Sequence, residues 1–152
     1  MPNIIIKAPQ GVFSADTRSA LARAVTAVAK TVEQGGDDPR HALLTWVSFE
    51  EFAPDAFYVG GAADPLERLI PIVLVFHYPQ GVLDEAARAE AARLLQEVFA
   101  EAKASDDPRP VMTSVIMTEV PDGTWGGNGM LWRLPDLARA AGFKHLQHLV
   151  VA

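Results

Sequence analysis

Proline at position 2 is the residue of this sequence with the clearest chemical potential. The chain reads Met1-Pro2-Asn3 and then enters the apolar run Ile4-Ile5-Ile6. Removal of Met1 would leave the Pro2 nitrogen as a secondary amine at the head of a buried strand. An α-amino group titrates near pH ~8 in water, and an apolar site lowers its pKa because burial disfavours the charged form. We therefore expect a group that accepts and returns a proton near neutral pH.

Proline at position 2 also has a purely structural interpretation, since proline tolerates a position without an N–H partner. The two interpretations differ in the fate of Met1. A retained Met1 would make the Pro2 nitrogen an amide, which has no basic lone pair.

Composition predicts a single soluble domain. The chain has 152 residues, of which 49% are hydrophobic, and this is enough to bury an ordinary core. A net charge of −6 argues against a nucleic-acid surface, which needs clustered cations. The absence of cysteine excludes disulfides and thiolate metal sites. With no leader pattern and no long apolar stretch, we predict a cytoplasmic protein with no membrane partner.

An internal repeat organises the chain. The tetrapeptide Pro9-Gln10-Gly11-Val12 recurs 70 residues later as Pro79-Gln80-Gly81-Val82. A short apolar run of strand type precedes each copy. A helical pattern with a capping residue follows each copy, from about Ser14 to Glu33 and from about Asp84 to Lys103. The sequence therefore predicts two similar halves.

Each predicted helix leads through a polar stop to another strand, Leu43 to Glu50 in the first half and Val111 to Glu119 in the second. Glycine-rich turns then predict hairpins, over Pro54 to Gly61 and Pro121 to Gly127. A right-handed crossover makes each half a β-α-β unit. We predict an α+β fold in which two units form one four-stranded mixed sheet with both helices on one face. The predicted domain spans 1–152, with repeats at about 2–61 and 70–129 and an extension at 130–152.

This arrangement leaves the second face of the sheet uncovered. Strand residues such as Val73 to Phe76 are apolar on both faces, and soluble monomers avoid large exposed apolar patches. Self-association around a cyclic axis would cover the face, and a trimer is one such arrangement. The alternative is that residues 134–152 fold back over it.

The sequence resembles the tautomerase superfamily in Pro2, in the two β-α-β halves and in the turn Glu119-Val120-Pro121…Trp125-Gly126-Gly127. This turn is similar to that of 4-oxalocrotonate tautomerase. The stretch from Val47 to Gly61 is more similar to the cis-3-chloroacrylic acid dehalogenase group. The resemblance implies a homotrimer with the amino-terminal proline as general base or acid in an apolar pocket. It also implies small 2-oxo or unsaturated carboxylate substrates and no metal or organic cofactor.

Several arginines of that superfamily are missing here. Val12 and Val82 follow the two strand-to-helix glycines, where the family commonly has a carboxylate-binding arginine. Tyr78 follows His77 where the dehalogenases have an arginine, and Ala29 stands at the position of their helix histidine. We therefore do not predict dehalogenation.

The predicted topology brings the start of the second strand and the end of the third strand close to Pro2. Tyr78 could donate its phenolic hydrogen to a substrate carbonyl oxygen, and Arg40 or His41 could supply positive charge for a carboxylate. Both Tyr78 and Arg40 also have a structural interpretation. Tyr78 could simply end a strand, and Arg40 could balance the negative charge of the acidic residues just before it. The resemblance adds an aromatic residue at a hairpin tip. The predicted substrate-binding set is Arg40, His41, His77, Tyr78 and Trp125.

These observations predict a cofactor-independent tautomerase or isomerase of small 2-oxo or enol carboxylates, with Pro2 as general base. One alternative is a decarboxylase or hydratase in which protonated Pro2 is the acid. Another is a trimeric binding scaffold without catalytic activity. We predict no metal site, because His145 and His148 have no carboxylate partner nearby in the sequence.

Overall fold

The computed structural model of the chain describes residues 2–62 and 64–150. Its strands and α-helices follow in the order β1 (Asn3–Pro9), α1 (Ala15–Val32), β2 (Trp46–Phe52), β3 (Ile70–Pro79), α2 (Glu85–Ala102), β4 (Val111–Val120), β5 (Trp125–Gly127), β6 (Met130–Trp132) and α3 (Leu134–Ala141). Short 3₁₀ helices include Pro39–Leu44 before β2 and Lys144–Leu149 after α3.

The main sheet has the strand order β2-β1-β3-β4. Strand β1 is parallel to β2 and antiparallel to β3, and β3 is parallel to β4. Asn3 lies opposite both Trp46 and His77, so β1 is an inner strand from its first residue. The predicted four-stranded mixed sheet is confirmed.

The two halves share their local structure as well as their order of elements. Helices α1 and α2 each have 18 residues. The Thr17 N–H donates to Ser14 Oγ at 3.1 Å, and the Ala87 N–H donates to Asp84 Oδ1 at 2.8 Å. Side-chain oxygens thus cap both helices by satisfying a free N–H group in the first turn. The predicted duplication of β-α-β units is confirmed.

Alternation of side chains along β1 and β3 separates the two faces of the sheet. Ile4 and Ile6 are buried against the helices, as are Leu74 and Phe76 of β3. Leu21 and Val25 of α1, together with Leu95 and Phe99 of α2, complete the same core. A core of this kind forms because period-two strands and period-3.6 helices each present one apolar side. No helix in the described ranges is both long and apolar enough to cross a bilayer.

Two predicted boundaries differ from the structure. Strand β2 starts at Trp46 rather than Leu43, because Pro39–Leu44 forms a 3₁₀ turn capped by the Asp38 side chain. The second hairpin pairs β5 with β6, so it lies after the predicted position. Its turn is formed by Asn128 and Gly129, whose φ angles of +52° and +76° suit a two-residue hairpin turn.

Residues 134–150, the described part of the carboxyl-terminal segment, do not cover the open face of the sheet. The Gly36 N–H donates to the Ala141 carbonyl at 3.1 Å, and the Lys144 N–H donates to the Gln34 carbonyl at 2.8 Å. These bonds hold α3 and the following 3₁₀ helix at the end of α1, on the helix side. On the opposite face, Met112 and Ile116 of β4 remain 58% and 53% exposed.

Asp107 and Arg109 form an ion pair in the segment before β4. Arg109 also connects this segment to the short 3₁₀ helix Asp64–Glu67, which lies between the two halves. The Arg109 side chain donates to Asp107 Oδ1 at 2.9 Å and to the Leu66 carbonyl at 2.8 Å. The hydrogen bond from Arg109 is the main reason that the pKa of Asp107 falls from 3.8 to about 2. A lowered pKa stabilises the folded state above pH 3.8, and this contribution is lost as the pH falls towards 2.

We therefore predict that Asp107→Asn lowers the urea midpoint of unfolding at pH 6. The free energy of unfolding should also decrease less between pH 4 and pH 2 than it does in the wild-type protein. The matched control is Asp38→Asn, whose partner Arg40 is 84% exposed at its side chain compared with 29% for Arg109. Solvent screening should make the control's effect at pH 6 smaller. An Asp107→Asn variant with the wild-type midpoint and pH dependence would contradict this assignment.

Candidate functional site

Pro2 is buried at the head of the inner strand β1. Its carbonyl accepts a hydrogen bond from the Trp46 N–H at 3.0 Å, which joins it to the start of β2. Burial alternates from Pro2 through Asn3 to Ile4, so Pro2 shares the helix-facing side of the sheet with Ile4. Pro2 therefore occupies the apolar position that the sequence predicts for it.

A cavity of about 190 Å³ lies where α1, the turn Pro39–Leu44 and the carboxyl-terminal segment meet. Thr45 forms part of its wall and directly precedes Trp46, which donates to the Pro2 carbonyl. Thr45 in the cavity wall and Trp46, which is bonded to Pro2, are therefore neighbours in the sequence. Phe143 contributes an apolar wall, while the polar part of the lining comes largely from α1.

Glu33 lines this cavity at the carboxyl end of α1. Its side chain is 3% exposed, and it is the one buried charged side chain in the part of the chain that the structure describes. Burial raises the pKa of the Glu33 carboxyl, and the positive charge of the chain's amino terminus acts against that rise. The negative end of the helix dipole also disfavours a carboxylate at this position.

Two cations stand on the exposed side of the same cavity. Lys30 reaches Asp37 with 3.4 Å between Nζ and Oδ1. Arg23 also lines a shallow depression next to the cavity, beside Thr45, and it makes no ion pair among residues 2–62 and 64–150. The guanidinium of Arg23 is therefore available to an anion at the cavity mouth.

His41 is the predicted substrate-binding residue that lines the cavity. A Cβ atom added to Gly36 or to Gly142 would lie 2.4 Å from the His41 ring, so both glycines allow the backbone to approach the ring closely. His41 Nδ1 is buried and has no hydrogen-bond partner within the described chain. The structure therefore places His41 in the cavity wall, with its ring packed against the backbone of two glycines.

Arg40 is not part of the cavity wall, although its neighbours Asp38 and His41 are. It pairs with Asp38, and the bond is the main cause of the lowered pKa of Asp38. The Arg40 side chain is 84% exposed. The structure therefore places Arg40 in a surface ion pair.

His77 and Tyr78 lie on opposite faces of β3. His77 is opposite Asn3 and faces the open side of the sheet. Tyr78 follows it, which brings it across from Pro2 on the helix side, where it is 2% exposed and makes an edge contact with Phe76 at a centroid distance of 6.0 Å. Tyr78 is thus the member of this pair that shares the face of Pro2.

Trp125 packs in the small hairpin at the end of β4. It lies opposite Trp132 and contacts the same small gap as Pro121 and Leu134. Strand β3 separates β4 from β1. Within one chain, Trp125 is therefore part of a cluster distinct from the cavity beside Pro2.

Arg23 and Glu33 are functional-site residues that the sequence pattern did not predict. Arg23 lies on α1, where the pattern indicates an exposed cation, and Glu33 follows the last residue of α1, where it indicates a polar residue at the helix end. The repeat contained a usable signal, because the position 70 residues after Glu33 is Lys103, a charge reversal between equivalent helix ends. What buries Glu33 is the carboxyl-terminal segment, which has no counterpart in the first half.

Comparison with known proteins agrees with the architecture. No curated protein matches the chain significantly. One similar structure is an asymmetric trimer of a fused 4-OT, with 18% identity, a TM-score of 0.68 and coverage of 85% of this chain and 94% of that chain. Another is N1, a member of the cis-3-chloroacrylic acid dehalogenase family, with 15% identity, a TM-score of 0.68 and coverage of 99% and 92%.

A third similar structure is Pt0534 inactivated by 2-oxo-3-pentynoate, with 16% identity, a TM-score of 0.66 and coverage of 84% of this chain and 93% of that chain. At these low sequence identities, the similarity to the three structures shows the fold alone. The family model described as "Putative oxalocrotonate tautomerase enzyme" matches residues 1–145, which is nearly the whole sequence. The chain therefore belongs to the Tautomerase_3 family.

Proposed function

We propose that this protein is a cofactor-independent tautomerase of small 2-oxo or enol carboxylates and that Pro2, exposed as the amino terminus by removal of Met1, transfers the proton. The observation that carries the proposal is the burial of Pro2 at the head of an inner strand, where its carbonyl is bonded to Trp46. Thr45, the residue before Trp46, lines a cavity that also has Arg23 and Lys30 in its wall. An amine in such a position is uncharged more readily than one in water.

The proposed substrate is an anion because the cavity combines an apolar wall with exposed cations. Phe143 and Ala141 suit the carbon skeleton of a small acid, and Arg23 and Lys30 suit its carboxylate. Arg23 would then replace the arginines that are missing after Gly11 and Gly81. The volume of about 190 Å³ favours a compact molecule.

A second candidate is a decarboxylase or hydratase in which protonated Pro2 acts as an acid. The buried carboxyl of Glu33 favours this candidate, since a nearby negative charge stabilises a protonated amine. The pH dependence of turnover separates the two. A base gains activity as the pH rises through its pKa, whereas an acid loses it.

We also propose that the working form is a homotrimer. Met112, Ile116 and Trp46 are all more than half exposed on the open face of the sheet, next to Ile5 and Val75. An apolar sheet face of this kind normally packs against another layer. The similar fused 4-OT structures are described as trimers.

Replacing Pro2 with Ala should reduce the turnover of phenylenolpyruvate by at least about 100-fold, because a primary amine on a mobile alanine replaces a fixed secondary amine. The measurement is the decay of the enol absorbance, made on protein whose intact mass shows that Met1 is absent. Equal turnover by the two proteins, or a mass that retains Met1, would refute Pro2 as the proton carrier.

Replacing Arg23 with Gln should raise KM about 10-fold or more with a smaller change in kcat, because the lost charge binds the substrate carboxylate before and during the reaction. The matched control is Arg93→Gln. Arg93 stands 70 residues later on α2 and pairs with Glu90 and Glu97 on the surface. If both variants have the wild-type KM, Arg23 does not bind the carboxylate.

Replacing Ile116 with Glu should dissociate the assembly, since the carboxylate would be buried at the proposed interface. The measurement is the molar mass by light scattering after size-exclusion chromatography. Ala100→Glu, at an exposed position of α2, is the control that should keep the wild-type mass. A monomeric wild-type protein, or an unchanged mass for Ile116→Glu, would count against a trimer formed through this face.

A further inference from the structure

Glu33 is a buried acid at the end of α1. An exposed polar residue would serve equally well as a helix end, yet the carboxyl-terminal segment and the turn Pro39–Leu44 enclose this carboxyl group. Removing a carboxyl group from water is costly, and strongly perturbed acids of this kind concentrate in functional clefts. The space that Glu33 lines is a cavity, which Thr45 also lines, rather than packed core.

Two contacts connect Glu33 with Pro2 through the chain. Glu33 and Thr45 line the same cavity, and Trp46, the next residue, donates to the Pro2 carbonyl at 3.0 Å. The positive charge of the amino terminus lowers the pKa of the Glu33 carboxyl, against the rise that burial causes. Removal of Met1 transfers that charge to the Pro2 nitrogen, which is one residue further along the chain, a shift of about 3.8 Å between Cα atoms.

We propose that Glu33 is the second acid–base group of this site and exchanges the oxygen-bound proton of an enol while Pro2 exchanges the carbon-bound proton. This inference rests on the proposed tautomerase function and assigns it a two-group mechanism. The substrates that suit this mechanism are 2-oxo acids and their enols, in which the exchanging oxygen and the exchanging carbon are bonded to the same carbon atom. The role resembles that predicted for Tyr78, whose ring packs within the core.

The proton balance closes within the protein. The Glu33 carboxylate takes the proton of the enol hydroxyl, and the oxygen electrons form the C=O bond. The electrons of the C=C bond then form a C–H bond to the proton of the Pro2 ammonium. The product leaves a neutral Pro2 amine beside a protonated Glu33. Transfer of one proton from the carboxyl to the amine restores the starting state without a further reactant.

The test is Glu33→Gln, which keeps the size of the side chain and its ability to form hydrogen bonds but cannot exchange a proton. We expect kcat for phenylenolpyruvate to fall about 100-fold, with KM within a few-fold of wild type. Thermal stability should stay equal or rise, because a buried charge is removed. Glu101→Gln makes the same chemical change at an exposed position of α2 and should keep wild-type turnover.

A second readout does not depend on turnover. The Pro2 amine should add to the alkyne of 2-oxo-3-pentynoate, forming an N–C bond while the other alkyne carbon takes up a proton. In Glu33→Gln the pH at which labelling reaches half its maximum rate should fall, because a neutral amide no longer stabilises the protonated amine. The other charged and titratable groups facing the cavity are Arg23, Lys30, Asp38 and His41, and they are the same in both proteins.

The outcomes separate the two proposals. Wild-type protein that neither turns over the enol nor labels at Pro2 would overturn the proposed function and this inference with it. Wild-type activity together with an unchanged kcat in Glu33→Gln would overturn the role of Glu33 alone. A lowered kcat with no change in the pH dependence of labelling would also overturn it, since a merely structural role predicts that result.

Discussion

The placement of Pro2 on an inner strand is the constraint on which the rest of the site depends. Strand β1 has neighbours on both sides, so its first residue is surrounded by protein instead of lying at an edge in water. A proline fits there because it needs no partner for an N–H group. The cost of burying an amine at this point falls on its charged form, and this is the physical basis of the proton transfer that we propose for Pro2.

The site forms where the two similar halves differ. The repeat partner of Pro2 is Ile72, a fully buried residue inside β3, and the partner of Glu33 is Lys103. Helix α2 therefore has no acid directed at a chain terminus. The carboxyl-terminal segment adds a further asymmetry, because it packs against the end of α1 and closes the cavity there. The duplicated units form the scaffold, and the residues at which they differ are those of the proposed site.

The sequence was sufficient to predict the sheet, the two helices and their caps. Each local pattern is weak by itself, but it occurs in both halves of the chain, and the two copies support each other. The sequence also predicted Pro2 and its buried position. It could not predict Glu33 or Arg23, since burial of a residue at the end of α1 depends on a segment more than 100 residues away. For Arg40, the adjacent Asp38 provides a local partner that holds the guanidinium on the surface. His77 and Tyr78 were predicted together, although neighbours on a strand point to opposite faces.

A ¹⁵N NMR titration of mature protein labelled at proline measures directly whether the Pro2 nitrogen and the Glu33 carboxyl form one coupled acid–base pair. We expect the Pro2 resonance to move in two pH steps in the wild-type protein, because each group senses the charge of the other. We expect a single step in Glu33→Gln. A Pro2 nitrogen that does not titrate, or one that titrates once near pH ~8 in both proteins like a solvated terminus, would rule out the coupled pair.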